Sequence, residues 1–211
     1  MNDGFLMLGP NDARFTILLA HGAGAAMDSQ AMTSMSEALA ATGFRVARFE
    51  FAYMAARRTG QNKPPPKAEI LNPEFLAAVE KLGVSGRLII GGKSMGGRVA
   101  SMVADELHRK GTVAGLLCLG YPFHPPSKPD KPRIAHLSSL ATPTLICQGT
   151  RDQFGTPEDV SGYTLSDKID ILWLEDGDHD LKPRKKISGF SAADHLATMA
   201  AKVKDWSEQL K

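Results

Sequence analysis

The pentapeptide Gly92-Lys93-Ser94-Met95-Gly96 puts a hydroxyl between two glycines, each two positions away. That spacing suits a serine on a sharp strand-to-helix turn. Only small flanking residues avoid a backbone clash there, and the hydroxyl is lifted clear to attack a carbonyl. The apolar run Leu88 to Ile90 precedes the pentapeptide, an amphipathic segment from Met95 to Gly111 follows it, and Gly97 gives further room. The same stretch contains Gly-Lys-Ser, the end of a phosphate-cradling loop. The first glycine of such a loop would stand at position 87, where the chain has arginine. Residues 88–90 are strand formers that cannot curl their amides around a phosphate. A dinucleotide fingerprint fails as well, because the glycines fall at the wrong intervals.

A serine hydroxyl is inert near neutral pH without a base, and the base needs an acid to fix its tautomer. In a chain of alternating strands and helices the expected order is serine, acid, histidine, at strand carboxyl ends. His179, in Glu175-Asp-Gly-Asp-His-Asp180, directly follows the last apolar run and is the expected base. His136 falls in a loop before another strand, and His195 lies inside the closing helix as a surface or packing residue. Asp152, just past the run Thr144–Gly149, is the expected acid; its plainer reading is a turn cap. Asp176, Asp178 and Asp180 are too near His179 to turn back onto its ring, so they read as loop-shaping or solvated. Asp130 and Asp159 fall in a loop and a helix.

The anion formed on attack needs amide donors. The Met95 N–H at a helix start supplies one, and the small-residue loop Ala20 to Ala25 supplies the second, from Ala23 or otherwise Gly24. His21 in that loop reads as a tether rather than a base.

The elements that must position these groups follow from periodicity. Strands are expected in the runs Arg14–Gly22, Phe44–Phe51, Arg87–Ser94, Val113–Phe123, Pro143–Asp152 and Ile169–Asp180. Helices are expected from a cap at Asp28 or Ser29 to Gly43, over Pro73–Gly83 and Met95–Gly111, briefly over Thr156–Ser166, and from Ser191 to Lys211. Ile134–Leu140 holds at most a helical turn, and Ala55–Lys67, with three consecutive prolines, reads as a polar loop. Strands that are apolar throughout are buried on both faces, as in a parallel sheet covered by helices. The fold class is α/β: a mostly parallel, doubly wound sheet in one domain spanning 1–211.

Of the 211 residues 43% are apolar and 23% charged, ordinary for a globular chain, and the net charge of +2 is too small to imply a nucleic-acid partner. The basic run Lys182–Lys186 reads as a solvated loop. No signal segment or membrane span is expected, and Cys118 and Cys147 read as buried thiols, with an interstrand disulfide the lesser alternative; together these point to the cytoplasm.

The motifs His21-Gly-Ala-Gly-Ala25, Gly92-Lys-Ser-Met-Gly-Gly97, Gly149-Thr-Arg-Asp152 and Gly177-Asp-His-Asp180 resemble the α/β-hydrolase superfamily. With Arg48–Pro66 added, the pattern is similar to a narrower group of small proteins related to the dienelactone hydrolases. That group includes bacterial proteins of unassigned substrate, a testis-expressed protein and a histone-acetyltransferase complex subunit. The resemblance implies Ser94 as nucleophile, Asp152 as acid, His179 as base, and Gly22 to Gly24 with Met95 as oxyanion hole. Dienelactone hydrolases carry cysteine where this chain has Ser94, so their substrate does not transfer.

The expected chemistry is acyl transfer through an acyl-enzyme on Ser94, without metal or organic cofactor. The connection Pro125–Ala141, where lids are inserted, is too short for a substantial cap. An open site suits a small ester or thioester, or an acyl group on a larger carrier. Arg57 or Arg58 is a candidate to bind a substrate carboxylate or phosphate; the plainer reading is a solvated or structurally paired arginine. Tyr53, Phe123, Phe154 and Trp173 are candidates for the pocket wall or the core. The rival from another class is a non-catalytic scaffold that binds a partner or ligand.

Overall fold

The computed structural model describes residues 4–61, 63–84 and 86–210, so Asn62 of the expected loop and Lys211 of the expected closing helix lie outside it. In chain order come β1 (Phe5–Leu8), β2 (Thr16–Ala20), α1 (Gln30–Ala41), β3 (Arg45–Phe49) and α2 (Ala52–Arg58). Next are α3 (Asn72–Leu82), β4 (Leu88–Lys93), α4 (Met95–Arg109), β5 (Gly115–Leu119) and β6 (Thr144–Gly149). The chain closes with α5 (Pro157–Ser161), β7 (Ile169–Leu174), α6 (Lys185–Ser188) and α7 (Ala192–Ser207).

The strands form one sheet in the order β1-β3-β2-β4-β5-β6-β7, with β1 antiparallel to β3 and every other pair parallel. Strand side chains alternate between two cores. Ile17 and Leu19 of β2 join Met32, Met35 and Leu39 of α1 and Val203 and Trp206 of α7. Leu18 and Ala20 face the other way, onto Phe75 of α3 and Val99, Ala100 and Val103 of α4. Every residue of β2, β4, β5 and β6 is buried, which explains their unbroken apolar runs, while the edge strand β7 is half-exposed. Cys118 and Cys147 are free buried thiols on opposite faces of the sheet, so the disulfide alternative falls.

Three elements depart from expectation. The segment read as a loop from Ala55 begins as helix α2, because the helix-forming run Ala52 to Arg58 ends well before Pro64. Strand β1, within a glycine- and Asp-flanked start, gains its order from pairing with β3. The basic run holds the single turn α6. The caps are mixed: Ser29 is the α1 N-cap but makes no side-chain bond, whereas Thr156 and Ser191 each form a full capping box. Between β5 and β6 the chain carries only the 3₁₀ turn Leu137–Ser139 and no large cap.

Candidate active site

Ser94 stands between β4 and α4 with φ 51° and ψ −117°, a left-handed backbone that costs about 1–3 kcal/mol for a residue with a Cβ. The corner exists only because its neighbours lack side chains. A Cβ on Gly92 would lie 2.5 Å from the Ala20 carbonyl oxygen, and one on Gly96 2.4 Å from the same atom. A Cβ on Gly97 would meet the Gly92 oxygen at 2.8 Å. The Ser94 N–H donates to the Leu119 carbonyl at 3.0 Å, tying the corner to the end of β5. Met95 is the first residue of α4, where an amide has no partner within the helix.

Asp152 and His179 meet at the ends of β6 and β7. His179 Nδ1–H donates to Asp152 Oδ2 at 2.8 Å, and that carboxylate has no solvent exposure. Its other oxygen accepts the Phe154 N–H at 2.9 Å, and Gln148 Nε2 donates to Oδ2 at 2.9 Å. Three donors thus satisfy a carboxylate that water does not reach. Phe154 covers the imidazole with ring centroids 4.2 Å apart. Ser94 and His179 line one cavity of about 270 Å³. Among the described residues no direct hydrogen bond joins them, an arrangement usual before a substrate tightens such a site.

The loop carrying His179 is held by charge. Asp176 accepts hydrogen bonds from Arg184 and from Arg151 Nε (3.2 Å); the Arg184 bonds come first in holding its carboxyl well below the usual carboxylate range. Asp178 accepts the N–H groups of Asp180 and Lys182, and Asp180 pairs with Lys93 at 3.1 Å. All three aspartates therefore shape the loop, as the sequence suggested. Lys93 itself was missed: it is 6% exposed, and burial pushes its ammonium pKa down while Asp180 opposes the shift. Its signal was a lysine at the end of an otherwise apolar strand.

Across the site, Tyr53 Oη donates to the Ala23 carbonyl at 3.1 Å and approaches that of Gly22 at 3.4 Å. His21 Nδ1–H donates to the Gly22 carbonyl at 2.7 Å, and its Nε2 accepts the Phe51 N–H at 3.1 Å. Burial pushes the His21 pKa down, and with both ring nitrogens hydrogen-bonded to backbone it tethers the loop as expected. In a trans peptide the next amide points opposite to the carbonyl. Holding the Gly22 and Ala23 carbonyls therefore turns the Ala23 and Gly24 N–H groups away from Tyr53. Ala23 lines both cavities beside Ser94 and Gly24 only one.

Several expected contacts lie elsewhere. Arg58 is bound to Glu50 Oε2 (2.6 Å) and to both Asp28 oxygens (2.9 and 3.0 Å). Arg57 donates to the Lys63 carbonyl at 2.8 and 3.0 Å and lies over the Tyr53 ring. Neither lines a cavity at Ser94, because helix α2 turns both toward carboxylates and carbonyls of the loop's own neighbourhood. Tyr53 supports the Gly22–Ala23 loop from beneath. Of the four aromatic candidates Phe154 alone lines both cavities; Phe123 is core, and Trp173 packs against it. His136 accepts from or donates to Ser101 Oγ at 2.8 Å, and buried His195 bonds the Leu181 carbonyl at 2.9 Å. Gln148 was also missed. It is the one amide within the apolar run of β6, four residues before Asp152.

A parallel sheet with a strained serine at a strand–helix corner, faced by a histidine–aspartate pair on neighbouring strand ends, defines the α/β-hydrolase class. The family model described as an alpha/beta hydrolase domain matches residues 13–208, and the chain belongs to that family. Solved structures agree in fold. The chain is similar to dienelactone hydrolase from Anabaena variabilis (TM-score 0.72, 19% identity, 98% of this chain and 91% of that one). It is also similar to a lidless α/β serine hydrolase from Xanthomonas campestris (0.69, 17%, 97% and 88%). A third likeness is the esterase domain of a Rhodothermus marinus protein (0.65, 19%, 97% and 91%).

Proposed function

We propose that this hydrolase is a serine esterase that cleaves small or carrier-linked esters and thioesters through an acyl-enzyme on Ser94. The observation that carries the reading is the pairing of buried Asp152 with half-buried His179, opposite a serine held at φ 51°. With Nδ1–H committed to Asp152, the His179 Nε2 lone pair is free to take the Ser94 proton. Ser94 Oγ then adds to the substrate carbonyl carbon, and the oxygen that gains the electron pair accepts hydrogen bonds from the Met95 and Ala23 amides. As the tetrahedral species collapses, the bond to the leaving alkoxide or thiolate breaks and His179 returns the proton to it. Water, deprotonated by His179, attacks the acyl-enzyme and releases a carboxylic acid and free Ser94. No step calls for a metal or organic cofactor.

Without a large cap the site is open, and its cavities of about 470 and 270 Å³ suit a short acyl group with a modest leaving group. The partner in this reading is a small-molecule substrate. The two free thiols suit a reducing, cytoplasmic setting. No helix among the described residues is long and apolar enough to cross a membrane.

The test is labelling with a fluorophosphonate probe together with turnover of short acyl esters, thioesters and amides. Wild type should label and turn over; Ser94→Ala should do neither. A folded wild type that does not label would favour a non-catalytic binding scaffold. Supplying an alcohol or amine acceptor separates hydrolysis from acyl transfer.

A further inference from the structure

We propose that the esterase takes an acyl group that itself ends in a carboxylate, with Arg98 and Arg133 binding that carboxylate. The inference rests on the serine-esterase reading and names its substrate class. The larger cavity, about 470 Å³, is lined by Ala23, Ser94 and Met95 together with Arg98, Arg133 and Lys67. Glu69 is the one acidic residue lining it, and its carboxylate is bound to Arg98. Three cations thus face one committed carboxylate.

Of the two guanidiniums Arg98 is partly committed, to Glu69, and Arg133 is unpaired among the described residues. The Arg98 Nε is buried and has no hydrogen-bond partner among the described residues. The Arg133 side chain makes no hydrogen bond or ion pair among them, although its backbone is pinned: its N–H donates to the Phe123 carbonyl at 2.6 Å and its carbonyl accepts the Tyr121 hydroxyl at 3.0 Å. Burial first, and then the Arg98 charge, push the Arg133 pKa down, the mark of a cation short of a counter-ion. A planar carboxylate reached by two guanidinium forks would relieve that repulsion.

Position assigns the anion to the acyl half. His179 must hand its proton to the leaving oxygen, so the leaving group lies on the side that His179 lines, in the smaller cavity with Lys93 and Asp180. The acyl group then enters the arginine-walled cavity, which His179 does not line. Arg98 follows Ser94 by four residues, roughly 6 Å along the α4 axis. The cavity of about 470 Å³ has room for a short dicarboxylic half-ester of succinyl or glutaryl size.

The experiment compares p-nitrophenyl hydrogen glutarate with p-nitrophenyl pentanoate, which differ at the acyl terminus. Wild type should favour the glutarate in kcat/KM by about tenfold or more at low salt. The preference should shrink at high salt. Arg133→Gln should bring the ratio toward one, and Arg133→Lys should keep part of it. Equal use of the two esters, preference for the pentanoate, or a full preference retained in Arg133→Gln would overturn the inference. Should Arg133→Gln not fold, Arg98→Gln and the wild-type salt dependence decide. A protein that labels with fluorophosphonate yet shows no preference for the glutarate loses only this inference; one that does not label loses the esterase reading itself.

Discussion

Nδ1 of His179 lies 2.8 Å from Oδ2 of Asp152, although 27 residues of chain separate them. The carboxylate is closed to solvent and takes further donors from Gln148 and the Phe154 amide, so it is oriented from three sides. The ring nitrogen facing the cavity is therefore the acceptor, as proton abstraction from serine requires.

Asp152→Asn keeps the shape but offers an amide donor where an acceptor is needed. The imidazole should switch to the tautomer with its proton on Nε2, which cannot receive the Ser94 proton. Ester turnover should drop by about 10⁴-fold while the thermal midpoint moves little. Turnover within tenfold of wild type would rule out this pairing as the source of activity.

Gly120, just past β5, has φ 67°, and a Cβ on it would lie 2.8 Å from the His179 carbonyl oxygen and 3.3 Å from Nδ1. Gly120→Ala should displace His179 and strain the turn together. The fluorophosphonate labelling rate should fall, and Tm should drop by roughly 2–8 °C. Unchanged labelling kinetics would show that the His179 loop yields without cost.

Lys93 and Asp180 are unequal partners: the ammonium is nearly buried while the carboxylate is 44% exposed. Lys93→Met should alter stability by no more than about 1 kcal/mol, because Asp180 can rehydrate, whereas Asp180→Ala strands the cation and should cost about 3 kcal/mol. The folded-state pKa of Lys93 is depressed by burial, so its penalty is full at neutral pH and eases as pH rises toward the ordinary lysine value. Urea titrations at pH 7 and pH 10 test both statements, and equal losses for the two variants would contradict them.

Arg58 serves stability through Glu50 and Asp28. Burial is the largest influence on Glu50 and works against ionising it, but the Arg58 hydrogen bonds, the Met27 N–H and the Arg58 charge together outweigh it and its carboxyl ends below the ordinary value; hydrogen bonding to Arg58 comes first in lowering Asp28. Depressed carboxyl pKa values stabilise above the unfolded-state values and lose that contribution as pH falls through the folded ones. Arg58→Gln should therefore lower Tm at pH 7, with the difference from wild type narrowing as pH falls below the ordinary carboxylate range of about 4. The KM for esters should not follow. A difference that persists undiminished in acid would point away from these carboxylates.

Residue order alone determined the class of fold and the corner that carries Ser94. Alternation of unbroken apolar runs with amphipathic segments marks buried parallel strands under helices, and glycines two places either side of a serine mark a turn that no larger residue tolerates. His179 and Asp152 were legible for the same reason: each directly follows a strand, and a parallel sheet brings its strand ends to one edge. Partner choice was not legible. Helix α2 turns Arg57 and Arg58 away from Ser94, and Arg98 and Arg133, unremarked in the chain, come together beside it. Gln148 and Gly120 take their roles from the register of β5 against β6 and from the approach of the β7 loop. Periodicity encodes only which way a side chain leaves its own backbone. What that side chain meets depends on distances across strands and loops, which are set when the sheet closes against its two layers of helices.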